Sequence, residues 1–236
     1  MPYLLQLAKT LLASLCGGFL LAASAYANPG FDEAAQTLND EWADAFYRLP
    51  TPQQADKYRA LLPRIQTLKE QNPQRAEPII LEAITLCTLA AADWGFGSLS
   101  RIREAKELLE KAIDLDPKAM EGTALITLGN LYYRVPGWPL SFGDDELALH
   151  YLEEAERLYP DALDTNYFLG DYWLNEEEYD KALPYLEKAD KAKVRPHQYL
   201  SDMRVKGEID KALKAARNRD SGRGGFFSDI TPAWGE

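Results

Sequence analysis

Small and large apolar side chains recur in one register along this chain, and that register limits what it can fold into. In "EAKELLEKAIDLDP", Ala105, Leu109, Ala112 and Pro117 stand at offsets 0, 4, 7 and 12. "LALHYLEEAERLYP" repeats the offsets with Ala148, Leu152, Ala155 and Pro160. "KALPYLEKADKAKVRP" repeats the first three with Ala182, Leu186 and Ala189, and its proline, Pro196, comes two residues late. Offsets 0, 4 and 7 share one face of an α-helix. A small Ala lets a neighbouring helix approach, a Leu fills the gap and a Pro stops the helix.

A second helix is expected upstream of each copy. Leu128-Gly129 is followed by Tyr132, and Leu169-Gly170 by Trp173. From Gly170 to Ala182 is 12 residues, room for one tight turn, with Asn175 expected as N-cap and Glu178 three residues on. From Gly129 to Ala148 is 19, so seven extra residues fall within "RVPGWPLSFGDD". "AADWGFGSLSRI" (91–102) occupies the equivalent place one repeat earlier. Both inserts end at an expected N-cap, Ser100 and Asp144. "YRALLPRIQTLKEQNP" reads as a decayed copy, with Leu61, Ile65, Leu68 and Pro73 in register and Pro63 inside the helix unless the helix begins near it. Residues 31–49 would be its partner helix, since terminal repeats are often atypical.

The Leu-Gly-x-x-aromatic helix followed by the Ala-x-x-x-apolar helix resembles the tetratricopeptide repeat (TPR). The resemblance covers residues 76–196 and is best in 163–196. It implies an all-α, TPR-like solenoid of antiparallel helix pairs, with long loops inside two of the pairs. "GDDELALHYLEEA" after a loop, then "NYFLGDYW", is similar to the periplasmic T component of TRAP-type solute transporters, which is thought to associate with the solute-binding subunit. The organisation expected is 28–75 as a degenerate N-terminal pair, 76–196 as repeats, 197–219 as a capping helix and 220–236 as a flexible tail. Residues 1–27, with Lys9, an apolar run from Leu11 to Ala23 and Ala25-Tyr26-Ala27, read as a secretory signal peptide. The alternative is an uncleaved membrane anchor.

The resemblance places partner contacts on the first helix of each pair, off the buried stripe: Ile126, Asn130, Tyr133 and Arg134, then Tyr167, Asp171, Leu174 and Asn175. The family's peptide-carboxylate clamp needs lysines there. Tyr167 and Asp171 stand where basic groups would be wanted, so a mixed aromatic-polar groove is expected instead. For the loop aromatics Trp94, Phe96, Trp138 and Phe142 two arrangements are open: packing on each other, or forming a rim over a groove.

Charge and chemistry narrow the function. The net charge is −11, and removing residues 1–27 takes away one lysine and no acid, giving −12. Such a surface repels phosphate backbones, so no nucleic-acid partner is expected. His150 among Glu146, Glu153 and Glu154 reads as a solvated helix face, and Cys87 as a small core residue. No phosphate loop or nucleophile elbow is present. The sequence therefore predicts a non-catalytic periplasmic scaffold with no cofactor and no metal, binding a protein or peptide in the envelope. The alternative is a module that holds a small hydrophobic ligand between the helices and the aromatic loops.

Overall fold

The computed structural model describes residues 29–220, apart from Trp94 and Phe96. By its internal contacts the chain divides into two units, 1–33 and 34–236. Of the first unit only residues 29–33 are described, as the opening of helix α1; all that follows concerns the second. The signal peptide expected over 1–27 and the tail from 221 onward lie outside the described residues.

The described residues form helices and no strand. In order they are α1 (Pro29–Arg48), α2 (Thr51–Gln71), α3 (Glu77–Ala92), α4 (Ser98–Leu115), α5 (Thr123–Arg134), α6 (Asp145–Leu158), α7 (Leu163–Asn175), α8 (Tyr179–Lys191) and α9 (Tyr199–Asn218). Helices adjacent in sequence pack as pairs: α3 with α4, α5 with α6 and α7 with α8. Successive pairs join through α4–α5 and α6–α7, and the first helices meet directly through α3–α5 and α5–α7. The fold is all-α with a helical-repeat arrangement, and α9 covers α7 and α8 at the end.

The side-chain register is what builds these pairs. Ala105, Leu109 and Ala112 of α4 are fully buried, as are Ala148, Leu152 and Ala155 of α6, and Ala182, Leu186 and Ala189 of α8. Opposite them stand the two repeat glycines. A Cβ placed on Gly129 would lie 2.9 Å from Leu152 Cγ and 3.0 Å from the Ala148 carbonyl oxygen. One on Gly170 would lie 2.8 Å from Leu186 Cγ and 3.2 Å from the Leu186 amide nitrogen. The missing Cβ lets each Leu seat against backbone, and burying such a side chain is worth about 1.5–3 kcal/mol. Pro73, Pro117 and Pro160 each follow soon after the last residue of α2, α4 and α6. A proline there cannot extend the helix.

The expected N-terminal pair is present as two helices, but α2 packs along α3. Helix α1 reaches α2 through side chains: Glu41 takes two bonds from Arg64 at 2.8 Å and one from Lys57 at 3.1 Å. Pro63 sits inside α2, which runs through it. Helix α3 is buried almost all round, from Pro78 to Ala90. An all-apolar helix is one covered on every side.

Two helix boundaries correct the sequence reading. Ser100 is not a cap: α4 has already begun at Ser98, after Gly97 turns left-handed at φ 99°. Ser98 Oγ accepts from the Gly95 amide at 3.0 Å and donates to the Asp93 carbonyl, which closes the turn. The first insert therefore narrows to 93–97. Asn175 is not a cap either. It is the last residue of α7, and its side-chain amide donates to the Asp171 carbonyl one turn back. The chain then reverses through Glu177 at φ 62°, with the Glu178 amide bonded to the Trp173 carbonyl. This left-handed C-terminal closure satisfies the helix end that an Asn175 cap would have interrupted. Asp144 is a cap as expected, accepting from the Leu147 amide at 3.0 Å.

One cluster ties the turns at the far end together. Arg195 pairs with Glu121, with Asp164 at 2.6 Å and with Asp202 at 2.6 Å, and its own amide donates to Asp202 at 2.7 Å. Asp202 is fully buried. Met120 and Glu121 have left-handed φ of 49° and 55°, a costly backbone for such side chains that the Glu121–Arg195 pair helps to hold.

Two stability outcomes follow from this packing. Gly129→Ala and Gly170→Ala should each lower the unfolding free energy by about 1–3 kcal/mol, despite alanine's better helix propensity, because the new methyl meets the branch carbon of the facing leucine with backbone close behind it. Urea denaturation measures this, and an unchanged or raised midpoint would show that the glycines are not needed for close approach. Arg195→Met should cost about 3–5 kcal/mol by leaving the buried Asp202 without its partner. A midpoint within error of the parent would contradict that role.

Candidate functional site

The first helices carry a repeated motif whose leading residue lines a shared cavity. Thr88-Leu89-Ala90 in α3, Thr127-Leu128-Gly129 in α5 and Phe168-Leu169-Gly170 in α7 occupy equivalent positions. The residues one turn back from Thr88, Thr127 and Phe168 are Ile84, Thr123 and Asp164. All six line one cavity of about 680 Å³, together with Cys87 and Ile126. Its size is that of a small-molecule site.

Helix α1 supplies the facing wall. Trp42 and Phe46 lie one turn apart, with rings stacked at 5.3 Å, and Tyr47 meets Phe46 edge-on at 4.7 Å. Polar ties hold α1 against this wall. The Trp42 indole donates to Thr88 Oγ1 at 3.1 Å, the Tyr47 and Ser201 hydroxyls share a bond of 3.0 Å, and the Gln36 amide donates to the His197 carbonyl at 3.2 Å. Residues Pro196–Ser201 close one end. Burial pushes the Tyr47 phenol up. Part of Cys87 reaches the cavity, but its thiol sits deep among apolar atoms, and burial pushes it up to about 12. At neutral pH it stays protonated and is a poor nucleophile. The wall offers aromatic faces and hydroxyls, groups suited to holding a ligand.

The contact residues expected from sequence lie elsewhere. Tyr167 is 1% exposed, against Phe168 at 4.9 Å, so it is core and not surface. Asn130 is buried, and its amide is spent on the Ile126 carbonyl at 2.8 Å. Asp171 is buried and paired with Arg134 at 3.1 Å; burial pushes its carboxyl up, partly offset by Arg134. Tyr133 donates to Glu176 at 2.9 Å and packs on Tyr172, with Arg134 over its ring. Leu174 is buried too. Tyr133 and Arg134 tie α5 to α7 and are part-buried, while Asn130, Tyr167, Asp171 and Leu174 are buried. Ile126 alone of the expected set lines the cavity. The residues that sequence reasoning missed, Trp42, Phe46, Tyr47, Thr88, Thr127 and Phe168, had two signals. One was the aromatic pair at i, i+4 in α1, and the other was the Thr-Leu-Ala/Gly register.

The loop residues separate. Trp94 lies outside the described residues. Phe142 packs edge-on against Tyr132 at 5.5 Å, with Lys106 over both rings. Trp138 is 90% exposed and Leu140 69%, so Trp138 does not pack down on Phe142 as one arrangement required. The loop 135–144 beneath them is tightly folded. The Gly143 amide bonds the Pro136 carbonyl, the Asp144 amide the Tyr132 carbonyl, and the Leu140 and Ser141 amides the Gly137 carbonyl. A Cβ on Gly143 would lie 1.8 Å from the Val135 carbonyl oxygen, so only glycine fits. Arg103 of α4 also donates to the Leu140 carbonyl at 3.3 Å.

Among the described residues no helix is long and apolar enough to cross a membrane. None of their His, Cys, Asp and Glu side chains form a group of three or more able to hold a metal ion. Geometry defines the class as an all-α helical-repeat protein with a half-open cavity between its helices. No known family model matches the chain.

The Glu41–Arg64 tie makes the seat of α1 sensitive to acid. The Arg64 guanidinium, with Lys57 beside it, holds the Glu41 carboxyl down at about 2, from an ordinary 4.5. A lowered folded value means that the tie contributes fully above 4.5 and is lost as pH falls toward 2. The Trp42 indole N–H resonance should therefore shift across that window. In Glu41→Gln the shift should disappear, with neutral-pH stability lower by about 1 kcal/mol or less. A shift that persists in the variant would place the acid response elsewhere.

Proposed function

We propose that the protein is a non-catalytic scaffold of the cell envelope that binds another envelope protein. Its repeats and leader resemble those of periplasmic TPR proteins, and among these the T component of TRAP-type transporters. The observation that carries the reading is the loop 135–144. It presents Trp138 and Leu140 to solvent from a backbone fixed by its own hydrogen bonds. An exposed Trp on a preorganised loop is the kind of anchor that dominates protein interfaces, since little entropy is lost on docking. The acidic surface and the apolar 1–27 segment fit an exported protein whose mature chain starts at Asn28.

A second reading has its own observation. The cavity behind α1 gives a small ligand a place between the helices, lined by no residue of the loop 135–144. The two readings are compatible, because the loop and the cavity use different residues.

Purified from its native envelope, the protein should bring down a TRAP-type solute-binding subunit. Trp138→Ala with Leu140→Ser should reduce that recovery by about tenfold or more. Equal recovery with the double variant would overturn the assignment of the loop.

A further inference from the structure

The cavity has walls of two kinds. Aromatic faces come from Trp42, Phe46, Tyr47 and Phe168. Among the described lining residues, charge comes from Asp40, Asp44 and Asp164, against one arginine, Arg48, with the imidazole of His197 also on the wall. Arg48 is matched by Asp44 at 3.1 Å. Asp164 has a cationic partner in Arg195, but Arg195 also serves Glu121 and Asp202. With Glu121 and Asp202 counted, five carboxylates thus share two guanidiniums, Arg48 and Arg195, and the group carries net negative charge at neutral pH.

That imbalance discriminates between ligand classes. An anion entering the cavity would meet the net negative charge of the described lining residues. A neutral apolar body would bury its surface but gain nothing from the field. A cation gains from both walls, since ammonium groups are attracted to aromatic faces as well as to carboxylates. We propose that the cavity binds an organic cation, an amine or quaternary ammonium on an apolar body, with its charged end toward Asp164 and its body on the α1 aromatics. Burial already pushes the Asp164 carboxyl up against the pull of Arg195, and a second cation beside it would relieve that cost. The proposal rests on the reading of the cavity as a ligand site and is independent of the loop 135–144.

Titration calorimetry on the full chain tests it with three probes that share a phenyl group and a four-carbon chain: 4-phenylbutylamine, 4-phenylbutanol and 4-phenylbutyrate. The amine should bind about tenfold tighter than the alcohol, the butyrate should bind weakest, and added salt should erode the amine's advantage. Asp164→Asn should bring the amine down toward the alcohol without changing the alcohol. Should that variant fail to fold, Asp40→Asn at the exposed rim should act in the same direction with a smaller effect. Equal binding of amine and alcohol, or tightest binding of the butyrate, overturns the cationic class while leaving a ligand cavity in place. Failure of all three to bind overturns both.

Discussion

Two leucines seated on two glycines hold this architecture in place. Leu152 on Gly129 and Leu186 on Gly170 bring the paired helices to backbone contact, a distance no larger residue at the glycine allows. The flanking alanines, Ala148 and Ala155, Ala182 and Ala189, keep that distance along the whole interface. Because the same register recurs, each pair presents its first helix in the same orientation. The order of α3, α5 and α7 on one side is a consequence of that repetition and requires no separate instruction.

The wall these helices make would be an open apolar face without α1. Helix α1 covers it with aromatic side chains and ties to it through side-chain contacts that include Thr88, Ser201 and the His197 carbonyl. Its closest ionic link runs sideways, from Glu41 to α2. A cover held by side chains leaves space beneath it, whereas α5 with α6 and α7 with α8 approach to backbone contact at their glycines. The cavity is the volume between these two modes of packing.

The pairs could be read in the sequence because their spacing is local. Offsets of 4 and 7 need only one helix, and every Ala and Leu they marked in α4, α6 and α8 is buried. The cavity could not be read in the same way. Whether Tyr167 is core and Phe168 is wall depends on what covers α7 from α5, α9 and α1, and none of those contacts is periodic. The sequence reading gave each first helix one buried stripe and one open face. The near-uniform apolarity of "PIILEAITLCTLA" in α3 was the sign that both faces are covered. Asn175 misled for a related reason: an Asn before three glutamates looks like the start of a helix, yet its side chain can equally bond back to end one. Trp138 remained ambiguous because its exposure depends on how ten residues of loop fold on their own hydrogen bonds.

The contact that carries the account can be observed directly. In protein labelled at the leucine methyls, nuclear Overhauser spectra should show strong cross-peaks from Leu152 to the α-protons of Gly129 and from Leu186 to those of Gly170. Folded protein in which these leucine methyls show no cross-peak to either glycine would contradict the pairing, and with it the wall and the cavity built on it.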